Sequence, residues 1–156
     1  MMIIKTLLGI FVIILLLGMS ALIKLALDSR DISKDLGLQN GRLKPCPESP
    51  NCVSSDAPES DLHYIAPLAS SSPETWTSLQ ATIDSMDGVE LLEASDNYLC
   101  YTFRTPLLGF SDDVEFHYRP DREVIAVRSA SRVGYGDLNT NRKRIERIRS
   151  ALSQTL

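Results

Sequence analysis

The residues best equipped for chemistry fall in two clusters. In the stretch VRSASRVGYGDLNTNRKRIERIR, from Val127 to Arg149, the side chains of Arg128, Ser129, Ser131, Arg132, Tyr135, Asn141 and Arg142 offer guanidinium, hydroxyl and amide donors. Donors of these types recognise phosphate or carboxylate, arginine through its planar fork. The second cluster, Asp112, Asp113 and Glu115 of GFSDDVEF, supplies carboxylates. These acids suit general acid-base work or an oxygen-ligand cation site, and with Tyr135 or Ser131 they define a hydrolase alternative. No ligand-bearing loop surrounds them, so no metal is expected.

Charge links the two clusters. From Glu48 to Glu123 fifteen acidic residues face three arginines, whereas from Arg128 to Arg149 seven basic residues face Asp137 and Glu146 alone. The overall balance of -4 conceals this asymmetry, which is informative about partners or internal pairing. It gives no reason to expect nucleic-acid binding, and the basic stretch lacks the interleaved aromatics of a single-strand platform.

Familiar catalytic patterns are missing. His63 and His117 have no metal-ligand spacing and read as strand residues, and the sequence has no nucleophile elbow, phosphate-cradling glycine loop or nucleotide fingerprint. No catalytic residue and no cofactor is therefore assigned. The reading leans to binding rather than catalysis.

Positioning falls to a small set of elements. Ser72-Pro73-Glu74 is a helix start, with a serine side chain to accept an amide and proline in the first turn. Trp76, Leu79, Ile83 and Met86 then recur at helical spacing, and Gly88 is placed for a C-terminal cap. Strand patterns follow over Val89–Ala94, Tyr98–Thr105, Asp113–Arg119 and Glu123–Ser131, with turns at Ser95-Asp96-Asn97 and Pro120-Asp121-Arg122. A further short strand is expected in HYIAPL from His63, cut off by Pro67. A final helix beginning around Asp137 or Asn139 shows Ile145, Ile148 and Leu152 along one stripe.

These elements predict an α+β domain: an antiparallel meander sheet of four to five strands with two helices packed on one face. Alternation puts Ser129 and Ser131 on the side of Ile125 and Val127, with Arg128 and Arg132 on the other. Arg142, Lys143 and Arg144 occupy the first turns of the last helix, where each cation is disfavoured by about 0.3–1 kcal/mol unless an anion offsets it. That anion is either the chain's own acidic cluster or an external phosphate or carboxylate. In the first case the arginines simply lock the fold, and Ser129 and Ser131 are packing residues.

Residues 3–24 read as a transmembrane anchor, residues 25–42 as a polar linker and residues 43–154 as the folded domain. About 20 apolar residues cross a hydrocarbon core of roughly 30 Å, and Ile3 to Ile23 carries only Lys5 as a charge. A cleaved signal peptide is the competing reading, with Gly18-Met19-Ser20 as its processing site. Lys24, Arg30 and Lys34 outnumber Lys5, which by the positive-inside rule favours a cytoplasmic domain. Cys46 and Cys52 pull the other way. They bracket Pro-Glu-Ser-Pro-Asn in a stiff loop, a disulfide between them needs an oxidising compartment, and the expected location is periplasmic or otherwise extracytoplasmic. Cys100 reads as a buried free thiol.

Three blocks, CPESPNCVSS, GFSDDVEF and VRSASRVGYGDLNTNRKRIERIR, resemble in order those of the family called domain of unknown function 1499, over about Leu43 to Leu152. The resemblance implies a small protein with an N-terminal membrane or export segment, and no established activity or catalytic residue. Its blocks coincide with the two charged clusters. The leading expectation is a single-pass membrane-anchored module whose partners are the bilayer, through residues 3–24, and an anionic small molecule, lipid head group or protein.

Overall fold

Alternation of apolar and polar side chains between Tyr98 and Ser131 builds the centre of the molecule. The structure, a computed structural model, describes residues 2–31, 33, 35–70 and 72–155, without the side chains of Met2 and Thr155. Lys34, one of the bases weighed for membrane orientation, lies outside the described residues.

After helix α1 (Met2–Asp28) comes a two-stranded hairpin, β1 (Leu38–Gln39) and β2 (Arg42–Leu43), then the short strands β3 (Cys52–Ser54) and β4 (Leu68–Ala69). Helix α2 (Pro73–Asp84) leads into the meander β5 (Val89–Ala94), β6 (Tyr98–Arg104), β7 (Ser111–Arg119) and β8 (Val124–Ser131), and helix α3 (Thr140–Thr155) follows. The main sheet has the order β3–β8–β7–β6–β5, and β4 shares the outer edge of β8 with β3. All its strand pairs are antiparallel.

One sheet face is apolar. Leu99, Tyr101 and Phe103 of β6, Val114 and Phe116 of β7, and Ile125 and Val127 of β8 meet Leu79 and Ile83 of α2 and Ile145, Ile148 and Leu152 of α3. Both helices thus cover one face. Full burial of a side chain such as Phe116 or Ile125 contributes roughly 1.5–3 kcal/mol. Trp76 stacks on Tyr118 at the edge of this core, ring centroids 5.6 Å apart. The opposite face carries Cys100, Asp113, Glu115, Ala126 and Arg128, all buried. The segment running through β1 and β2 helps to cover it, with Leu43 packed against Tyr98, Cys100 and Ala126.

Several local expectations change. The sheet has six strands rather than four to five, because β3 and β4 add to the meander. HYIAPL is no strand: Tyr64 makes one isolated bridge to Ser54, and extended pairing resumes only beyond Pro67, at Leu68. Proline lacks the amide that a continuous ladder needs. The Ser72 side chain makes no capping bond; its carbonyl takes the Thr75 amide at 3.1 Å instead. Gly88 is not the cap of α2, which ends at Asp84 with Ser85 as its C-cap. With φ +72°, Gly88 turns the chain into β5, and a Cβ there would lie 3.0 Å from the Arg104 carbonyl oxygen.

Residues 25–42, expected to be a linker, include the last turn of α1 and most of the β1–β2 hairpin. Ala26 and Ser29 are buried, and the Ser111 amide donates to Ser29 Oγ at 3.0 Å. Small side chains at these two positions let the chain approach the start of β7 closely.

Candidate functional site

Register across β7 and β8 places Glu115 directly opposite Arg128, and Asp113 opposite Ala130. Arg128 Nη1 donates to Glu115 Oε2 at 2.8 Å, and both side chains are buried. Glu115 Oε1 also accepts from the Tyr98 hydroxyl at 2.7 Å and the Gly37 amide at 2.8 Å. Two residues beyond Ala130, just past the end of β8, Arg132 reaches back to Asp113, with Nε 3.0 Å from each carboxylate oxygen and Nη2 2.6 Å from Oδ1. Its remaining donors go to Thr102 Oγ1 at 2.6 Å and the Arg30 carbonyl at 3.1 Å. Further along β7, Arg119 grips Asp56 with two nitrogens at 2.8 and 2.6 Å, and the Leu43 amide donates to the same carboxylate at 2.9 Å.

A separate network lies on the helix side of the sheet. Asp137 caps α3, accepting from the Asn139 amide at 2.9 Å and the Asn141 amide at 2.8 Å. Asn141, fully buried, accepts from Ser129 Oγ at 2.6 Å, and its Nδ2 is 2.9 Å from the Asn51 carbonyl and 3.0 Å from Ser131 Oγ. Arg144 pairs with Asp112, donates to Ser129 Oγ at 2.9 Å and lies over the Phe103 ring at 5.1 Å.

The donors proposed from sequence therefore do not converge. Arg128 and Arg132 project from one sheet face with Asp113 and Glu115, whereas Ser129, Ser131 and Asn141 project from the other with Asp112, as strand alternation requires. Arg142 donates to the Leu62 carbonyl at 3.0 Å, and Tyr135 is 79% exposed. Of the two anions that the sequence left open, Arg128, Arg132 and Arg144 meet the internal one: carboxylates from β7 face them. The carboxylate trio is likewise divided, each acid held by its own arginine, so Asp112, Asp113 and Glu115 form no shared acid–base centre.

Sequence reasoning missed Asn51, Asp56, Tyr98 and Arg119 as members of these networks, and named Arg144 only as a helix-start cation, not as a site residue. Arg144 had a visible signal, its place among cations at a helix start. Asp56 had none, since the meeting of an irregular loop with β7 depends on the tertiary path. A third unanticipated pair is Asp61 with His63 Nδ1, 2.8 Å apart. His63 Nε2 faces the Ser49 carbonyl at 3.2 Å, so both ring nitrogens address acceptors and neither is placed as a base. Among the described residues no group of His, Cys, Asp or Glu is arranged to hold a metal ion.

Burial decides most of the titration behaviour. It raises the Tyr98 hydroxyl, with Glu115 adding to the effect, and pushes the Cys100 thiol up to about 12. It also raises the Asp112 carboxyl against the pull of Arg144. Burial and then Arg119 hold the His117 imidazole below its usual range. Burial alone would raise Asp56, but hydrogen bonds from Arg119 and the Leu43 amide outweigh it and hold that carboxyl low.

A cleft of about 740 Å³ lies between residues 35–49, with Ser33, and the end of β8. Asp35, Lys44, Asp113, Arg128, Ser131 and Arg132 are among its walls. Arg128 is 4% exposed, and its buried Nε has no hydrogen-bond partner. A cavity of about 530 Å³ lies beside it, walled by Arg42, Asp56 and His63. Cys46 and Cys52 are joined by a disulfide, their Cα atoms 5.7 Å apart, and Cys46 lines both hollows.

Comparison with curated proteins finds no match. The model of one family covers residues 42–152, from β2 to the penultimate turn of α3 and so through both charged networks; the chain belongs to that family, described as protein of unknown function (DUF1499).

Proposed function

We propose that this protein is a single-pass, membrane-anchored binding module, held outside the cytoplasm, that takes a small anionic group into the cleft beside the end of β8. The observation that carries the binding reading is that Arg128, a residue of the cleft wall, holds a buried Nε donor without a partner. Leaving such a donor unsatisfied costs roughly 1–3 kcal/mol, and an acceptor reaching it would recover that cost. Arg128 and Arg132 are neutralised by Glu115 and Asp113, so a singly charged ligand such as a carboxylate is favoured over a phosphate monoester, which carries close to two charges. The anchor reading rests on the apolar helix Ile3–Asp28, with a mean hydropathy of 2.7. The extracytoplasmic reading rests on the Cys46–Cys52 disulfide, which reducing compartments do not maintain.

The test is thermal unfolding of the full chain in detergent with acetate, inorganic phosphate, sulfate and glycerol phosphate, at fixed ionic strength. Binding to the native state alone stabilises by about 2.7 kcal/mol at a hundredfold excess over Kd. One class should raise Tm saturably, and Gln39→Trp, which fills the cleft from its exposed rim, should abolish the effect while leaving the ligand-free Tm unchanged. No shift with any of the four anions removes the binding reading.

A second reading has its own support. Arg119, Arg132 and Arg144 each meet a carboxylate of the chain, as expected of a scaffold whose ion pairs specify the fold. Under that reading every anion is silent, and truncating these side chains lowers stability alone.

A further inference from the structure

We propose that the end of the domain bearing the 105–110 and 132–139 loops lies in the head-group layer of the same bilayer that α1 crosses, with Leu107, Tyr135 and Leu138 inserted towards its hydrocarbon. This rests on the anchor reading above and adds to it an interaction surface and a partner, the lipid bilayer.

Depth along α1 carries the argument. Lys5 and Lys24 frame eighteen uncharged residues, about 27 Å of helix at 1.5 Å per residue, close to the thickness of a hydrocarbon core. The membrane boundary therefore passes near Lys24, and Leu22 and Leu25 straddle it. Those two leucines share a hollow of about 370 Å³ with Phe110, Val133 and Leu138. Whatever lines that hollow lies at the depth of the boundary.

The helix is also fixed to the domain at this level. Ser29 Oγ receives the Ser111 amide, and Arg132 Nη1 donates to the Arg30 carbonyl at 3.1 Å. The two loops consequently flank the point where the chain leaves the membrane.

Their composition suits that depth. Leu107 is 91% exposed and Leu138 90%, one on each loop. Leu138 is held at φ +55°, a conformation disfavoured for a side chain of its size. Tyr135 is the amphipathic type enriched where hydrocarbon meets water. Beside them, the exposed Lys143 and Arg147 line a hollow with Thr105 and Pro106, opposed there by Asp87. Basic side chains at that level attract anionic head groups.

The topology supplies an internal control. β7 runs from Ser111, at the α1 end, to Arg119. Nine strand residues span about 30 Å, so the turn Pro120–Arg122 lies that far along β7 from the point where Ser111 meets the end of α1.

The experiment uses the full chain in phosphatidylcholine–phosphatidylglycerol nanodiscs. Leu107→Cys, Leu138→Cys, Asp121→Cys and Leu15→Cys, made singly, are labelled with an environment-sensitive fluorophore. Cys100 stays unlabelled because it is buried and its thiol is pushed up to about 12. Spin-labelled lipids should quench the labels at Leu107 and Leu138 several-fold more than the label at Asp121, with blue-shifted emission at both. If those two labels match Asp121 while Leu15 is quenched, the docking surface is overturned and the anchor stands. If Leu15 is not quenched, the anchor fails and the docking surface with it.

Discussion

At the scale of single residues, the informative feature is how completely the buried charges are paired. Taking an ion pair out of water is costly, and removing one partner leaves the other charge stranded, at about 3–5 kcal/mol. Glu115 is fully buried and accepts from Arg128, Tyr98 and Gly37. Arg128→Ala should therefore lose about 3–5 kcal/mol in urea unfolding, and the double variant Arg128→Met/Glu115→Met should recover much of that. If the double variant falls by the sum of the single losses instead, the pair is not coupled as described.

At the scale of elements, the segment between α1 and β3 acts as a cover over the charged face of the sheet. It has few apolar side chains of its own; Leu43 is fully inserted, and Asp56 holds the Leu43 amide while bonded to Arg119. The Cys46–Cys52 disulfide pins its far end to β3. Closing a loop of this length is worth about 2–3 kcal/mol on the chain-entropy account. Reduction, or Cys46→Ser with Cys52→Ser, should lower stability by that amount. Amide exchange should accelerate over residues 35–47 before it changes in β6 and β7. Uniform acceleration across the sheet would mean that the cover and the sheet open together.

For the whole molecule, pH sums these local terms. Asp56 has a folded pKa below its ordinary 3.8, so its contribution is complete above that value and is lost as pH falls through the lower folded value. Asp112 is shifted upward, and its contribution runs the other way, greatest below 3.8 and declining as pH rises through its folded value. Asp56→Asn should therefore cost roughly 2 kcal/mol near neutrality, with the deficit against the parent shrinking as pH falls below about 4. A deficit that stays constant down to pH 2.5, measured as the urea midpoint, would show that Asp56 does not titrate as its contacts require.

Local pattern was enough to determine the meander, the two covering helices, the apolar N-terminal helix and the opposite directions of Arg128 and Ser129. Each follows from a periodicity of two or 3.6 that a short window of residues carries by itself. The sequence also marked Arg128, Arg132, Asp113 and Glu115 as charges needing partners, but left open whether those partners were internal. Only the tertiary structure decided that, because a cross-strand pair depends on register: Glu115 meets Arg128 since the turn at Pro120–Arg122 sets those two positions opposite each other. The same holds for Asp56 with Arg119, and for Ser29 beneath Ser111. Residues 63 and 82 positions apart are brought together by the chain's path through space, which no local spacing records.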